Sequence, residues 1–449
     1  MNTPQRRSLA MTWMGALALA LIVAVLAATG VATTWANGFL LSFVEIQQKE
    51  FGVIDALDGA RIPLVSPDGK HVYVTSNFDN SLSAFTRDAA SGKLTYVETH
   101  TDGASGVDGL EAVEGAAIAP DGNHVYAAGT NDDAVAVFAR NATTGALAFV
   151  ESKKNGVGGI TGLDGVYSMV VSPDNIHLYV SGFLDDSLAV FKRSATSGSL
   201  TFIESLKDGV GGVDGLDGAR AVVVSPDGKN VYVSSSNDHA VAAFKRDSST
   251  GMLTYVESEK DGVASVDGML GAWWVDIAPD GNHLYATGRD DDSVAVFSRE
   301  SASGTLAFVE FIQRGTGGAD LLDETHGVAV SPDGKHVLVA AARFDDALTV
   351  FSRNAATGKL TFVSALRDNV SGVNGLADPF GIAISPDGTH VYVGGSADDA
   401  VSVFTTDPDA PSALPSASSW GLISLAVALV GLSAWRLYRV RPRSIENPM

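Results

Sequence analysis

Seven side chains capable of chemistry interrupt an otherwise monotonous repeat: Arg61, Glu114, Tyr167, Arg220, Trp273, His326 and Phe380. Each stands six residues before the proline of a recurring Ser/Ala-Pro-Asp turn, at Pro67, Pro120, Pro173, Pro226, Pro279, Pro332 and Pro386. Cations, a carboxylate, an imidazole and aromatic rings on one circle suit a small polar ligand, and Glu114 and His326 are types that move protons. A plainer arrangement is also open, in which Arg61 pairs with Glu114 and the aromatics plug the opening. Three residues before the fifth proline, Asp276 stands where the sister copies read Leu64, Ala117, Val170, Val223, Ala329 and Ala383. In an apolar strand beside Trp273 and Trp274, that carboxyl either holds its proton and acts as an acid or base, or lines a wet channel.

What must position these residues is a period of 53: the prolines are 53 apart five times and 54 once, the extra residue falling within 340–344. A strand-rich unit of that length reads as a propeller blade. In the fourth copy Ala221-Val222-Val223-Val224 is an apolar inner strand, Pro226-Asp227-Gly228 turns it, and Val231-Tyr232-Val233 returns. Ala240 to Phe244 and Leu253 to Glu257 complete four antiparallel strands. The outer-strand pattern starts at Leu41, Leu94, Leu147, Leu200, Leu253, Leu306 and Leu360, so its first copy precedes the first Pro-Asp turn and the last unit lacks one. Leu41 to Glu45 must therefore complete the last blade and close the ring. The expected fold is all-β, a seven-bladed β-propeller over 37–405 made of four-stranded antiparallel blades, with a linker at 406–418 and hydrophobic helices at both ends. Closure gathers the seven odd residues around the mouth of the central channel. An Asp in every second-to-third-strand turn (Asp79, Asp132, Asp185, Asp238, Asp291, Asp345, Asp398) is expected to accept backbone N–H bonds there.

The loops leading into the inner strands are rich in Gly and Asp. A carboxylate recurs twelve residues before the proline at Asp55, Asp108, Asp214, Asp267 and Asp320, replaced by Thr161 and Asn374 in the other copies. Turn chemistry accounts for these oxygens, because the spacing of a dedicated calcium loop is absent. No helix signal follows the glycines, so no dinucleotide site is implied. No cofactor and no metal are expected. The absence of cysteine excludes disulfides and thiolate chemistry. Formal charge is -22 overall and -27 over 37–411, where 24 basic groups face 51 acidic ones. Nucleic acid is therefore not an expected partner, and the ring is expected to be monomeric.

Arg6 and Arg7 precede an apolar run from about Ala10 to Ala32 that ends in Thr34-Trp35-Ala36, an export signal over 1–36 that is either cleaved or kept as an anchor. Trp420 to Trp435 is uncharged and is followed by Arg436, Arg439, Arg441 and Arg443, a short membrane span within 419–449 with its basic end in the cytoplasm. The propeller is thus expected on the periplasmic or cell-surface side of a bacterial membrane. Leu414-Pro415-Ser416-Ala417-Ser418-Ser419-Trp420-Gly421 resembles the C-terminal sorting tails of Gram-negative surface proteins. That resemblance makes enzymatic processing of the tail the alternative to a plain anchor.

The strings Val65 to Val74 (Val-Ser-Pro-Asp-Gly-Lys-His-Val-Tyr-Val), Asn80 to Phe85 and Ser91 to Glu98 resemble the seven-bladed lactonase-type propellers, which include phosphogluconolactonase-like and carboxymuconate-cyclising proteins, over about 41–405. The resemblance implies a site at the channel mouth that uses Arg, Glu and His, with His326 matching the family's His-bearing start of an inner strand. One function open to these residues is then ring-opening of a lactone or related cyclic ester, in which Glu114, His326 or Asp276 activates water, Arg61 or Arg220 steadies the oxyanion, and Tyr167, Trp273 and Phe380 surround the ligand. The long Gly/Asp loops depart from the family's shorter connections, and export separates the chain from phosphorylated sugar intermediates. The other function open to these residues is a non-catalytic surface module that holds a glycan, a peptide or a cation.

Overall fold

The computed structural model of the protein describes residues 40–49 and 54–407. The expected segments 1–36 and 419–449, and most of the linker, lie outside them. Among the described residues, twenty-eight strands, β1 to β28 in chain order, form seven four-stranded antiparallel sheets. The innermost strands are β2 (Ala60–Val65), β6 (Val113–Ile118), β10 (Val166–Val171), β14 (Ala219–Val224), β18 (Ala272–Ile277), β22 (Thr325–Val330) and β26 (Pro379–Ile384). Each touches the innermost strand of the next blade, and β26 touches β2, so the ring is closed.

Closure is made by β1 (Leu40–Gln48), which pairs with β28 (Ala400–Asp407) from Leu40↔Asp407 to Gln48↔Ala400 and is the outer strand of blade seven. Pro379 opens β26 at the mouth and pairs with Gly395, which pairs with Ala400. Leu40 and Asp407 therefore lie on the opposite face.

The blades are held by a buried ionic tie. In six blades the third strand ends on an Arg that reaches the preceding blade: Arg87, Arg140, Arg193, Arg246, Arg299 and Arg353. The guanidinium of Arg193 bonds Tyr126 Oη at 2.6 Å, the Asp121 carboxylate at 2.9 and 3.1 Å, and His124 Nδ1 at 2.9 Å. Tyr126 is fully buried, so its hydroxyl needs a partner, and it donates to Gly198 O at 3.0 Å. A Cβ on Gly198 would strike the His124 ring, which is why the third-to-fourth-strand turn carries glycine at that point. A second tie runs from the outer strands: the carboxylates of Glu45, Glu98, Glu151, Glu204, Glu257 and Glu310 accept the backbone N–H that opens the next blade's outer strand, Leu94 to Leu360.

The seam between blades six and seven lacks these ties. Thr406 replaces the Arg, Leu338 the Tyr and Ser364 the Glu. Restoring the pair with Leu338→Tyr and Thr406→Arg together should raise Tm relative to wild type, which differential scanning calorimetry would read; an unchanged or lowered Tm would count against the tie as the stabilising element.

Candidate functional site at the channel mouth

Strict strand alternation sends residues six and three before the proline to opposite faces. In every blade the register between the first and second strands slips by one residue at the ring position, between Ala60 and Pro63 in blade one and at the equivalents elsewhere. Such a bulge re-aims a side chain, here toward the mouth. In four blades a single hydroxyl supports it. Thr75, Ser181, Ser234 and Thr287 accept the N–H of Ile62, Ser168, Ala221 and Trp274, and donate to the carbonyl of the next blade's ring residue, Glu114, Arg220, Trp273 and His326.

The recurring turn Asp accepts a backbone N–H, as expected, but from the loop leading into the inner strand of its own blade, as Asp79 does from Asp58 at 2.7 Å. The residue after it reaches across to the next blade. Asn80, Asp133, Asp186, His239, Asp292, Asp346 and Asp399 take the N–H of Ala112, Gly165, Gly218, Gly271, Glu324, Asp378 and Gly59, each two residues ahead of a ring side chain. The mouth is thus fixed by backbone bonds before any ligand arrives. Gly115 completes the fit, because a Cβ there would strike the Tyr167 carbonyl. Gly115→Ala should destabilise by about 1–3 kcal/mol, visible as a lower chemical-denaturation midpoint.

All seven ring residues line one pocket of about 340 Å³, joined by Arg289, Glu324 and Asp378. Arg61 Nε lies 3.6 Å from Glu114 Oε2, and its guanidinium sits 4.4 Å above the Phe380 ring. Asn77 Nδ2 donates to Glu114 Oε1 at 2.9 Å. Burial raises the Glu114 pKa, against the opposing pull of Arg61 and Arg220. His326 stacks on Trp273 at 5.3 Å and leans on Phe380 at 4.9 Å. Burial, with Arg289 and Arg61 nearby, pushes its pKa down to about 3, so the imidazole is neutral at physiological pH. The Arg220 guanidinium lies 3.3 Å from the Trp273 ring centre and 4.4 Å from that of Phe183. Arg61 does face Glu114, and Ile62, Tyr167 and Phe380 pack with Trp273 and Trp274 into one apolar cluster, of which Tyr167, Trp273 and Phe380 also line the pocket.

Arg289, Glu324 and Asp378 were not legible as site residues from the ring register. Glu324 and Asp378 occupy the position eight before the proline, where the other copies read Gly59, Ala112, Gly165, Gly218 and Gly271. All seven have positive φ, so two carboxylates in a left-handed glycine position are a signal the repeat does contain. Arg289 follows the second strand of blade five and gives Glu324 a 3.1 Å bond from Nη2.

Asp276 stands apart from the pocket. Its oxygens accept the N–H groups of Ile277 and, across the blade seam, Val330, both at 2.8 Å. Burial pushes its pKa up to about 6 despite those bonds. A carboxyl that keeps its proton in the folded state favours folding as pH falls, so wild-type stability relative to Asp276→Val should rise between pH 7 and pH 4, most steeply midway between the folded value of about 6 and the ordinary value of 3.8. Parallel thermal melts would check this; a pH-independent difference would contradict it. Two of the five loop carboxylates bridge to a lysine, with Lys154 Nζ 2.8 and 3.0 Å from Asp108 and Asp132 and Lys260 Nζ 2.9 and 2.7 Å from Asp214 and Asp238, while Asp267 accepts the N–H of Gly268 at 3.0 Å as turn chemistry expects.

The model of the family described as "Lactonase, 7-bladed beta-propeller" matches residues 55–161, 159–267, 218–365 and 316–413. A 6-phosphogluconolactonase of Klebsiella pneumoniae (strain 342) is 26% identical over 313 residues, 69% of this chain and 85% of that protein. Among solved structures, a putative 6-phosphogluconolactonase of Bacteroides uniformis is 23% identical with a TM-score of 0.55, covering 71% of this chain and 88% of that one. The periplasmic gluconolactonase of Pseudomonas aeruginosa is 22% identical with a TM-score of 0.56, covering 68% and 85%. Hydrazine synthase of Kuenenia stuttgartiensis shares the fold as well, 18% identical with a TM-score of 0.57 over 81% and 99%, so the architecture alone names no reaction. The matched family segments run through every blade of the closed ring, and the protein belongs to the seven-bladed β-propeller lactonase family.

Proposed function

We propose that the protein hydrolyses a lactone or related cyclic ester in the mouth pocket. The observation that carries this is a concentration of unmet hydrogen-bonding capacity: five buried side-chain polar atoms of pocket residues have no hydrogen-bond partner among the described residues, namely Arg61 Nε, Glu114 Oε2, Trp273 Nε1, Arg289 Nε and His326 Nδ1. Buried polar groups are rarely left unpaired unless a ligand or water completes them. In this reading Glu114 Oε2, or the neutral His326 at Nδ1, takes a proton from water as its oxygen attacks the carbonyl carbon. Arg61 and Arg289 face the developing oxyanion. The acyl–oxygen bond of the ring then breaks, and the proton passes to the departing ring oxygen, yielding a hydroxy acid. Asp276 has both oxygens engaged outside the pocket and takes no part in this scheme.

A panel of sugar and aromatic lactones tests the proposal, with hydrolysis followed by acid release; rates equal to the uncatalysed ones throughout would sink it. The pH–rate profile is also specified. An acid limb should lie above the ordinary glutamate range near 4.5, set by Glu114, and no limb should appear near 6.5, because His326 is already neutral there.

One observation favours the non-catalytic module for a glycan or peptide. Val157, Val210, Val263 and Val370, 49 to 61% exposed, occupy equivalent tips of four inner-strand loops. Apolar side chains repeated around one face suit a macromolecular partner.

We also propose export to the periplasmic or cell-surface side, with tethering through the hydrophobic ends. A periplasmic relative of the same fold supports this. Deleting residues 412–449 together with any uncleaved leader should move the protein to the soluble fraction; retention in the membrane would reject the tether.

A further inference from the structure

The charges of the pocket are nearly all matched. Arg61 faces Glu114, while Arg289 and Arg343 both bond Glu324 Oε1, at 3.1 and 2.9 Å. Arg220 has no carboxylate within ion-pair distance among the described residues; its guanidinium is enclosed by Trp273, Phe183 and Tyr167, and its Nε donates to Ser236 Oγ at 3.0 Å. Asp378 is the opposite case. Its carboxylate lines the pocket, yet it accepts no hydrogen bond and forms no ion pair among the described residues. Its backbone is held at φ 50 by the N–H bond to Asp346, a conformation that glycine adopts without strain and that four sister blades do fill with glycine. A strained, unpartnered carboxylate kept at a pocket wall is a hydroxyl acceptor waiting for its donor.

The unpaired atoms give the same account. Donors (Arg61 Nε, Arg289 Nε, Trp273 Nε1) and acceptors (Glu114 Oε2, and His326 Nδ1 when its proton is on Nε2) are mixed around one cavity, and hydroxyl groups both donate and accept. A phosphate dianion only accepts. Entering here it would find one cation without a carboxylate, Arg220, already covered by aromatic faces, and would bring its charge toward Asp378 and Glu324. The surrounding domain, at -27, repels it further.

We infer that the pocket takes a neutral polyhydroxylated lactone and excludes its phosphorylated counterpart, with the Asp378 carboxylate accepting a hydrogen bond from a ring hydroxyl. This rests on the lactonase reading above and adds to it the class of substrate and a specificity-determining residue.

The test compares full-length protein in detergent on glucono-1,5-lactone and on its 6-phosphate, as wild type, Asp378→Gly and Asp378→Asn. Expected is a kcat/KM at least about tenfold higher for the neutral lactone. Asp378→Gly should raise KM for it about tenfold or more with kcat little changed, yet raise Tm as the left-handed strain is relieved; Asp378→Asn should recover part of the affinity. A purely structural role predicts no KM change, and that outcome overturns the assignment of Asp378. Equal or better use of the phosphorylated lactone overturns the substrate class while leaving the lactonase reading intact. If neither is hydrolysed, the wider lactone panel decides the lactonase reading, and binding of gluconate against 6-phosphogluconate by calorimetry decides the inference separately: preference for the phosphorylated compound, or no binding of either, rejects it.

Discussion

Glu114→Gln will lower kcat on a lactone substrate by about 10²–10⁴-fold, the usual contribution of a positioned proton-transfer group, while the protein becomes more stable at neutral pH. Both halves follow from one environment. Asn77 fixes Oε1 at 2.9 Å, leaving Oε2 without a hydrogen bond and 3.6 Å from Arg61 Nε, and the glutamine amide can keep the Asn77 contact through its own oxygen while losing the ability to take a proton. Burial raises the glutamate's pKa in the folded state, so its charged form opposes folding at pH 7. Removing the charge therefore stabilises above the unfolded value near 4.5, and the gain disappears as pH falls below it, where wild type is protonated in both states. The measurements are kcat against pH and denaturation midpoints at pH 4 and 7. Loss of the acid limb together with higher neutral stability is expected; unchanged kcat would remove Glu114 from the mechanism. His326→Ala should also lower kcat, with less diagnostic value, because the ring's stacking on Trp273 and Phe380 is lost at the same time.

Arg193→Ala should cost about 3–5 kcal/mol of stability, the range for removing one partner of a buried ion pair, and lower Tm by roughly 5 °C for a domain of this size. The Arg193 side chain is fully buried, and its loss removes one partner each from Asp121, Tyr126 Oη and His124 Nδ1 in the seam between blades two and three. Thr406, at the corresponding place in blade seven, has none of these partners and donates instead to Gly388 O at 2.9 Å, so Thr406→Ala should change stability by less than about 1.5 kcal/mol. The contrast within one molecule separates the tie from a general effect of truncating a third-strand end. Similar losses at both sites, read by calorimetry, would show that the Arg network is not what holds adjacent blades.

The period of 53, the seven Pro-Asp turns and the displaced outer-strand motif at Leu41 were sufficient to read blade number, strand count and ring closure, because each is a local pattern repeated in a linear order. The seven ring residues were legible for the same reason: seven internal copies expose the position at which type varies while its neighbours do not. Closure alone then places the seven positions on one circle. Three matters were decided only in three dimensions. The bulge at the ring position overrides strand alternation, which is why His326 and its counterparts reach the mouth, and a one-residue slip leaves no mark in residue type. Asp276 has the composition of a catalytic acid, but its oxygens are taken by backbone N–H groups of its own strand and the next, partners identified by register rather than by sequence. Arg289, Glu324 and Asp378 come from a turn and from glycine positions that look like spacers along the chain. They become pocket walls because the blades' top turns bond the backbone of the neighbouring blade, and a contact between units 53 residues apart exists only once the ring has closed.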